Sequence, residues 1–220
     1  MPRAIVTGAN RGIGLELCRA LSARGYEVMA LCRKPNAELY ALPVDVYDGY
    51  DVTDEQAMQD FAATIAPESV DLLINNAGIL ESVPLDRLDL ESIRRQFEVN
   101  ALGPLRVTAS LLPALKAGAK IALLTSRMGS IADNESGGSY GYRMSKSALN
   151  AAGASLARDL KSRDIAVAIL HPGWVKTDMT GNSGLIEATE AVAGLLARID
   201  ELNLANSGTF WHSNGEVLPW

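Results

Sequence analysis

Short runs of β-branched and aliphatic residues recur at positions 4–7, 27–31, 72–75, 121–125 and 165–170, and longer stretches of helical periodicity fill the gaps. A run that is apolar at every position has no side meant for water. Each such run predicts a strand covered on both faces, as in parallel sheets whose crossover helices lie above and below. Helices are predicted over 12–24, 54–65, 90–115, 142–161 and 187–201. Thr53 or Asp54 can cap the second, and Asp54 and Glu55 suit the positive end of its dipole. The alternation predicts α/β architecture: a single domain over 1–220 with one doubly wound parallel sheet and helices on both faces. Residues 208–211 read as a last strand, Asn214-Gly215 as a hairpin turn, and Leu218-Pro219-Trp220 as an apolar end that docks.

Composition narrows the function. A chain of 220 residues with formal charge −6 and no Lys/Arg block lacks the concentrated positive charge that nucleic acid or an anionic membrane requires. The expected partner is a small molecule. Cys18 and Cys32 fall in apolar segments and read as reduced structural thiols, which fits a cytoplasmic location. Met1-Pro2-Arg3 leads straight into a strand, so no signal peptide is expected, and no stretch of about 18 residues is apolar enough to span a membrane. His171 and His212 lie far apart in sequence without paired cysteines, so no metal site is expected.

The first strand ends at Gly8, and glycines recur at Gly12 and Gly14 where helical periodicity begins. In a strand–turn–helix unit of this kind glycine lets the backbone approach a pyrophosphate, while the helix N-terminus stabilises its charge. The spacing G-x-x-x-G-x-G departs from the common G-x-G-x-x-G. At the end of the second strand, where an Asp or Glu would grip an adenosine ribose, the chain has Cys32-Arg33-Lys34. A guanidinium there, with Arg11 in the glycine turn, favours a 2′-phosphate and hence NADP, with NAD possible; both cations also suit a solvated loop.

Tyr142 and Lys146 are four positions apart, which places them on one helix face about 6 Å apart along the axis. A nearby ammonium is expected to lower the phenol's pKa and fit it for proton transfer.

The segments Thr7-Gly8-Ala9-Asn10-Arg11-Gly12-Ile13-Gly14, Asn75-Asn76-Ala77-Gly78, Asn100, Thr125-Ser126, Tyr142-Arg143-Met144-Ser145-Lys146 and Pro172-Gly173 through Thr177 occur in an order that resembles the short-chain dehydrogenase/reductase family, over nearly the whole chain. The resemblance is to its carbonyl-reductase-like and C-factor-like branch, and it implies a Rossmann fold. It implies that Ser126 hydrogen-bonds a substrate carbonyl and Tyr142 delivers the proton. Lys146 would hold the nicotinamide ribose, and Asn100 a relay water. It also assigns cofactor contacts to Gly8, Asn10, Arg11, Gly12, Ile13, Gly14 and Arg33, to Asp51 and Val52 at the adenine, to Asn76, Ala77 and Gly78 beside its ribose, and to Pro172, Val175 and Thr177 at the nicotinamide. The activity implied is NADP(H)-dependent oxidoreduction of a carbonyl or alcohol; the alternative is a nucleotide-binding regulatory protein with little turnover. A homodimer or homotetramer is also implied, and small residues at Ala148, Ala151, Ala152, Ala154 and Ser155 suit either a second helix from another copy or packing within the monomer.

Other readings stay open at single positions. Asp51 can equally cap a turn, and Asn75 can serve the sheet. The stretch 127–139 suits either a mobile connection or a substrate wall, and it is longer than in most relatives. The segment after Pro172 is short for a substrate lid, and Met128, Trp174 and Met179 would supply an apolar wall.

Overall fold

The computed structural model describes residues 1–82 and 84–220. Seven strands, β1 (Arg3–Thr7), β2 (Glu27–Leu31), β3 (Asp45–Tyr47), β4 (Val70–Asn75), β5 (Leu115–Leu124), β6 (Ala166–His171) and β7 (Phe210–His212), form one parallel sheet in the order β3-β2-β1-β4-β5-β6-β7. Strand order reverses at β1, which pairs β2 through Thr7↔Leu31 and β4 through Val6↔Ile74. A crevice opens at such a switch point, beyond the carboxyl ends of the strands.

The helices are α1 (Gly12–Ala23), α2 (Ala37–Tyr40), α3 (Glu55–Ala63), α4 (Leu90–Phe97), α5 (Gly103–Leu111), α6 (Tyr140–Asp159) and α7 (Ala188–Glu201). On one face Ala4, Val6, Ala30, Ile74 and Leu170 pack in one cluster with Leu17 and Leu21 of α1 and Leu195 of α7. On the other face Ile5, Met29, Leu73 and Ile121 meet Phe61 of α3, Leu111 of α5 and Leu149 of α6. Burial on both faces is why the strands read as unbroken apolar runs.

Three expectations need correction. The helix predicted over 90–115 is α4, then a π-type segment Glu98–Leu102, then α5. Pro104 lacks the N–H that an α-helix would offer the Asn100 carbonyl, and the wider turn removes the clash. Next, β5 begins at Leu115 rather than at 121, with a register shift opposite Val70/Leu72 and Gly118 at φ +80°. Finally, β3 and α2, of three and four residues, are too short and too exposed to leave a periodic signal. The C-terminal hairpin forms as expected: His212 N–H donates to the Glu216 carbonyl at 2.8 Å around Gly215, and Trp220 stacks on Phe210 with centroids 5.6 Å apart.

Candidate active site

The strand ends at the switch point are bound to the glycine turn by one hydroxyl and one amide. Thr7 Oγ1 accepts from the backbone N–H of Asn76 and of Ala77, both at 3.1 Å, while Asn76 Nδ2 donates to the carbonyls of Thr7 at 2.9 Å and Gly8 at 3.1 Å. A Cβ on Gly14 would stand 2.2 Å from the Gly8 carbonyl oxygen, so only glycine permits α1 to start this close. Gly8, at φ +65°, occupies the left-handed region, and its Cβ would stand 2.9 Å from Ala77 Cα. The N-cap residue Arg11 makes no side-chain cap, and no acidic residue lies in the first turn, so no carboxylate of α1's own first turn meets its positive end.

That end faces a cavity of about 780 Å³. Gly8, Asn10, Arg11, Gly12, Ile13 and Gly14 form its floor, with Arg33, Asp51 and Val52 at one end and Tyr142, Lys146, Pro172 and Thr177 at the other. Asn76, Ala77 and Gly78 line it between them. Asp51 caps a turn, its Oδ1 accepting from the Thr53 N–H at 3.0 Å, and its Oδ2 lies 3.6 Å from the Arg33 guanidinium, itself largely exposed. Arg11 pairs instead with Asp178 at 3.3 Å, across the turn from Arg33. Asn75 ties β4 to α5, its Nδ2 donating to Thr108 Oγ1 at 3.1 Å.

A second cavity of about 320 Å³ shares Ile13, Thr125, Tyr142, Pro172, Thr177 and Met179 with the first. Ser126 and Val175 line this smaller space and not the larger one. Met128, Trp174 and Met179 supply the expected apolar wall. The stretch 127–139 lines the cavity through Asp133 and Ser136 and is tied down, with the Ala132 N–H donating to the Trp220 carbonyl at 2.9 Å.

Tyr142 is 7% exposed and Lys146 is 4% exposed, side by side on α6, with the ammonium 5.7 Å from the phenol ring centroid. Lys146 Nζ donates to the Leu124 carbonyl at 2.9 Å. Burial pushes the Tyr142 phenol up to about 12, opposed by a hydrogen bond with Ser126, and pulls the Lys146 ammonium down to about 8. The expected lowering of the phenol by the ammonium does not hold, because loss of water on burial is the larger effect. Tyr142 therefore carries its proton at neutral pH.

Asn100, fully buried, lines neither cavity. Its Oδ1 accepts from the Ile79 N–H at 2.8 Å, and its Nδ2 donates to the Ile79 carbonyl at 2.9 Å and to Ser145 Oγ at 3.0 Å. A Cβ on Gly78 would lie 3.2 Å from that Oδ1 and 3.6 Å from Lys146 Nζ, so the asparagine, glycine and lysine converge.

Several lining residues do not stand out in the sequence. Arg127, Arg143 and His171 line the smaller cavity from separate segments. His171 and His212 are distant in sequence yet paired in the register of β6 and β7, with rings 4.9 Å apart and nearly perpendicular. Burial, His212 and Arg127 together pull His171 down to about 3, so it is neutral. Among the described residues no group of three or more His, Cys, Asp and Glu side chains could hold a metal, and no helix is long and apolar enough to cross a membrane.

The larger cavity has an uncapped helix end over a glycine turn, basic residues at its far end, and a buried phenol and ammonium where it meets a second cavity. These features suit a dinucleotide laid along the switch point and define a nucleotide-dependent oxidoreductase. The family profile described as short chain dehydrogenase matches residues 2–187, and the chain belongs to that family. It is 40% identical over 226 residues to 1-hydroxy-2-glutathionyl-2-methyl-3-butene dehydrogenase of Rhodococcus sp. (strain AD45), covering 100% of both chains. It is 46% identical over 166 residues to C-signal of Myxococcus xanthus, covering 74% of this chain and 100% of that protein. The crystal structure of NADPH-bound carbonyl reductase from chicken fatty liver superposes with a TM-score of 0.90 at 31% identity, over 100% of this chain and 99% of that one.

Proposed function

We propose that the protein transfers a hydride between NADP(H) and a small carbonyl or alcohol substrate, with the substrate in the smaller cavity and the cofactor in the larger. The observation that carries this reading is the place of Tyr142, on the wall common to both cavities with Lys146 beside it. NADPH, when bound, supplies the hydride; everything else falls to the chain. Gly8, Gly12 and Gly14 bring the backbone close to the pyrophosphate, and the open amides at the start of α1 stabilise its charge. Arg33 serves the 2′-phosphate. Asp51 and Val52 bound the adenine end, and Pro172 and Thr177 bound the nicotinamide end.

Ser126 and Tyr142 donate hydrogen bonds to the carbonyl oxygen as negative charge grows there, and Tyr142 gives up its proton to complete the alcohol. A phenol protonated at neutral pH suits reduction. Lys146, as a cation, stabilises the phenolate left behind and is placed to reach the nicotinamide ribose. Asn100 positions Gly78 and Ser145, and the π-type turn at its carbonyl, forced by Pro104, is where a relay water would be held.

Replacing Tyr142 with Phe removes the transferred proton and keeps the ring. NADPH-dependent reduction of a carbonyl panel should fall about 10²–10⁴-fold while NADPH binding persists. Wild-type-like turnover by Tyr142→Phe would end the assignment. The likeness to C-signal favours a second reading, a nucleotide-binding regulator, and a biological effect that survives Tyr142→Phe with intact NADPH binding would support it. Assembly as a homodimer or homotetramer draws support from the exposed Ala151 and Ser155 on α6, and light scattering that gives a monomer mass at every concentration would remove it.

A further inference from the structure

Arg143, directly after Tyr142, lines the smaller cavity and has a role none of the preceding chemistry uses. Its guanidinium donates to three acceptors on the wall: Ser136 Oγ at 2.8 Å, the Gly137 carbonyl at 3.2 Å and the Met128 carbonyl at 3.4 Å. All three are neutral. Among the described residues no aspartate or glutamate pairs with it, whereas Arg127 beside it holds both Asp133 at 3.1 Å and Glu216 at 2.8 Å. Neutral acceptors satisfy N–H groups without offsetting the charge, and a guanidinium has five N–H donors, of which at least two remain. A half-buried cation without a counter-ion, on the wall of a cavity beside the reacting phenol, is a place for an anion. The same cavity is lined by the apolar side chains of Leu80, Trp174 and Met179.

Resting on the reductase reading, we propose that the substrate is an aldehyde or ketone with an apolar body and a carboxylate, which the Arg143 guanidinium binds while the carbonyl faces Ser126 and Tyr142.

The test compares 4-carboxybenzaldehyde with its methyl ester at saturating NADPH and low salt. Intrinsic reactivity of the pair is the same for every variant, so the readout is the change in the acid-to-ester ratio of kcat/KM. A charge-assisted contact predicts that Arg143→Gln lowers this ratio by about tenfold or more, that Arg143→Lys keeps much of it, and that raising the salt lowers it in the wild type. An equal ratio in wild type and Arg143→Gln overturns the proposal. Should Arg143→Gln lose all turnover through collapse of the wall, the wild-type salt series decides, and a ratio that ignores salt overturns it. Reduction of both compounds with no charge preference strikes this inference alone. Reduction of neither strikes the reductase reading with it.

Discussion

Replacing Arg33 with Asp is the sharpest probe of the cofactor assignment, because the structure separates its effect on binding from its effect on folding. The guanidinium is 65% exposed and, among the described residues, its only ion pair, with Asp51, is long at 3.6 Å. An exposed pair of that kind contributes under about 1 kcal/mol, so the fold should persist with a melting temperature a few degrees lower at most. The contact with a 2′-phosphate is another matter. Charge-assisted hydrogen bonds contribute about 1.5–3 kcal/mol, and losing them weakens NADPH by about 10–150-fold, before any repulsion from the new carboxylate. That carboxylate can instead accept from an adenosine ribose hydroxyl, so NADH should bind as well as before or better. Calorimetric titration of both nucleotides into both proteins reads the change directly. Arg11, held by Asp178 across the turn, gives the contrast: its replacement should weaken both nucleotides by similar factors. If the NADPH-to-NADH ratio of Arg33→Asp matches that of the wild type, Arg33 does not hold the 2′-phosphate and the basis for preferring NADP is gone.

Three further outcomes are expected. Gly14→Ala places a methyl 2.2 Å from the Gly8 carbonyl oxygen and 2.5 Å from Asn76 Nδ2, so the turn must open; thermal unfolding should report a loss of about 1–3 kcal/mol and calorimetry at least tenfold weaker NADPH, and wild-type behaviour in both would refute the packing argument. In the reductive direction kcat/KM should be flat through neutral pH and decline around pH 8 as Lys146 loses its proton, long before the phenol near 12 titrates; a decline only above about pH 10 would show that the lysine's charge is not needed. His171, lowered from 6.5 to about 3, binds fewer protons folded than unfolded between those values, so its contribution to stability is whole above pH 6.5 and is lost as pH falls toward 3. Urea midpoints should reveal about 2 kcal/mol lost between pH 7 and pH 5, with a shallower loss in His171→Leu, and parallel curves for the two proteins would contradict this.

What could be read from sequence and what could not divide along a physical line. β1, β2, β4, β6 and the second half of β5 are covered on both faces, so residues such as Ile5, Leu73 and Val167 had to be apolar without interruption, and the pattern is visible. The glycine turn and the Tyr142–Lys146 pair are local, each within one turn or one helix face, and so their spacing carries over into geometry. The break at the π-type segment was legible in principle from Gly103-Pro104 but was masked by strong periodicity on both sides. Arg143 lies within the Tyr142–Lys146 motif and Arg127 within the stretch read as a connection or a wall, but neither stands out, because with His171 they come to line one cavity only when β5, α6 and β6 are assembled. The phenol's pKa is equally non-local: spacing showed the ammonium but not the depth of burial that outweighs it.

The wall that carries Met128, Asp133 and Ser136 hangs from the far end of the polypeptide, through the Ala132–Trp220 bond and the stacking of Trp220 on Phe210. Phe210 belongs to the outermost strand of the sheet, away from the glycine turn. Changes in the terminal hairpin therefore reach the smaller cavity through a wall that includes none of the residues shared with the larger one, and a search for altered specificity can begin at Phe210 and Trp220.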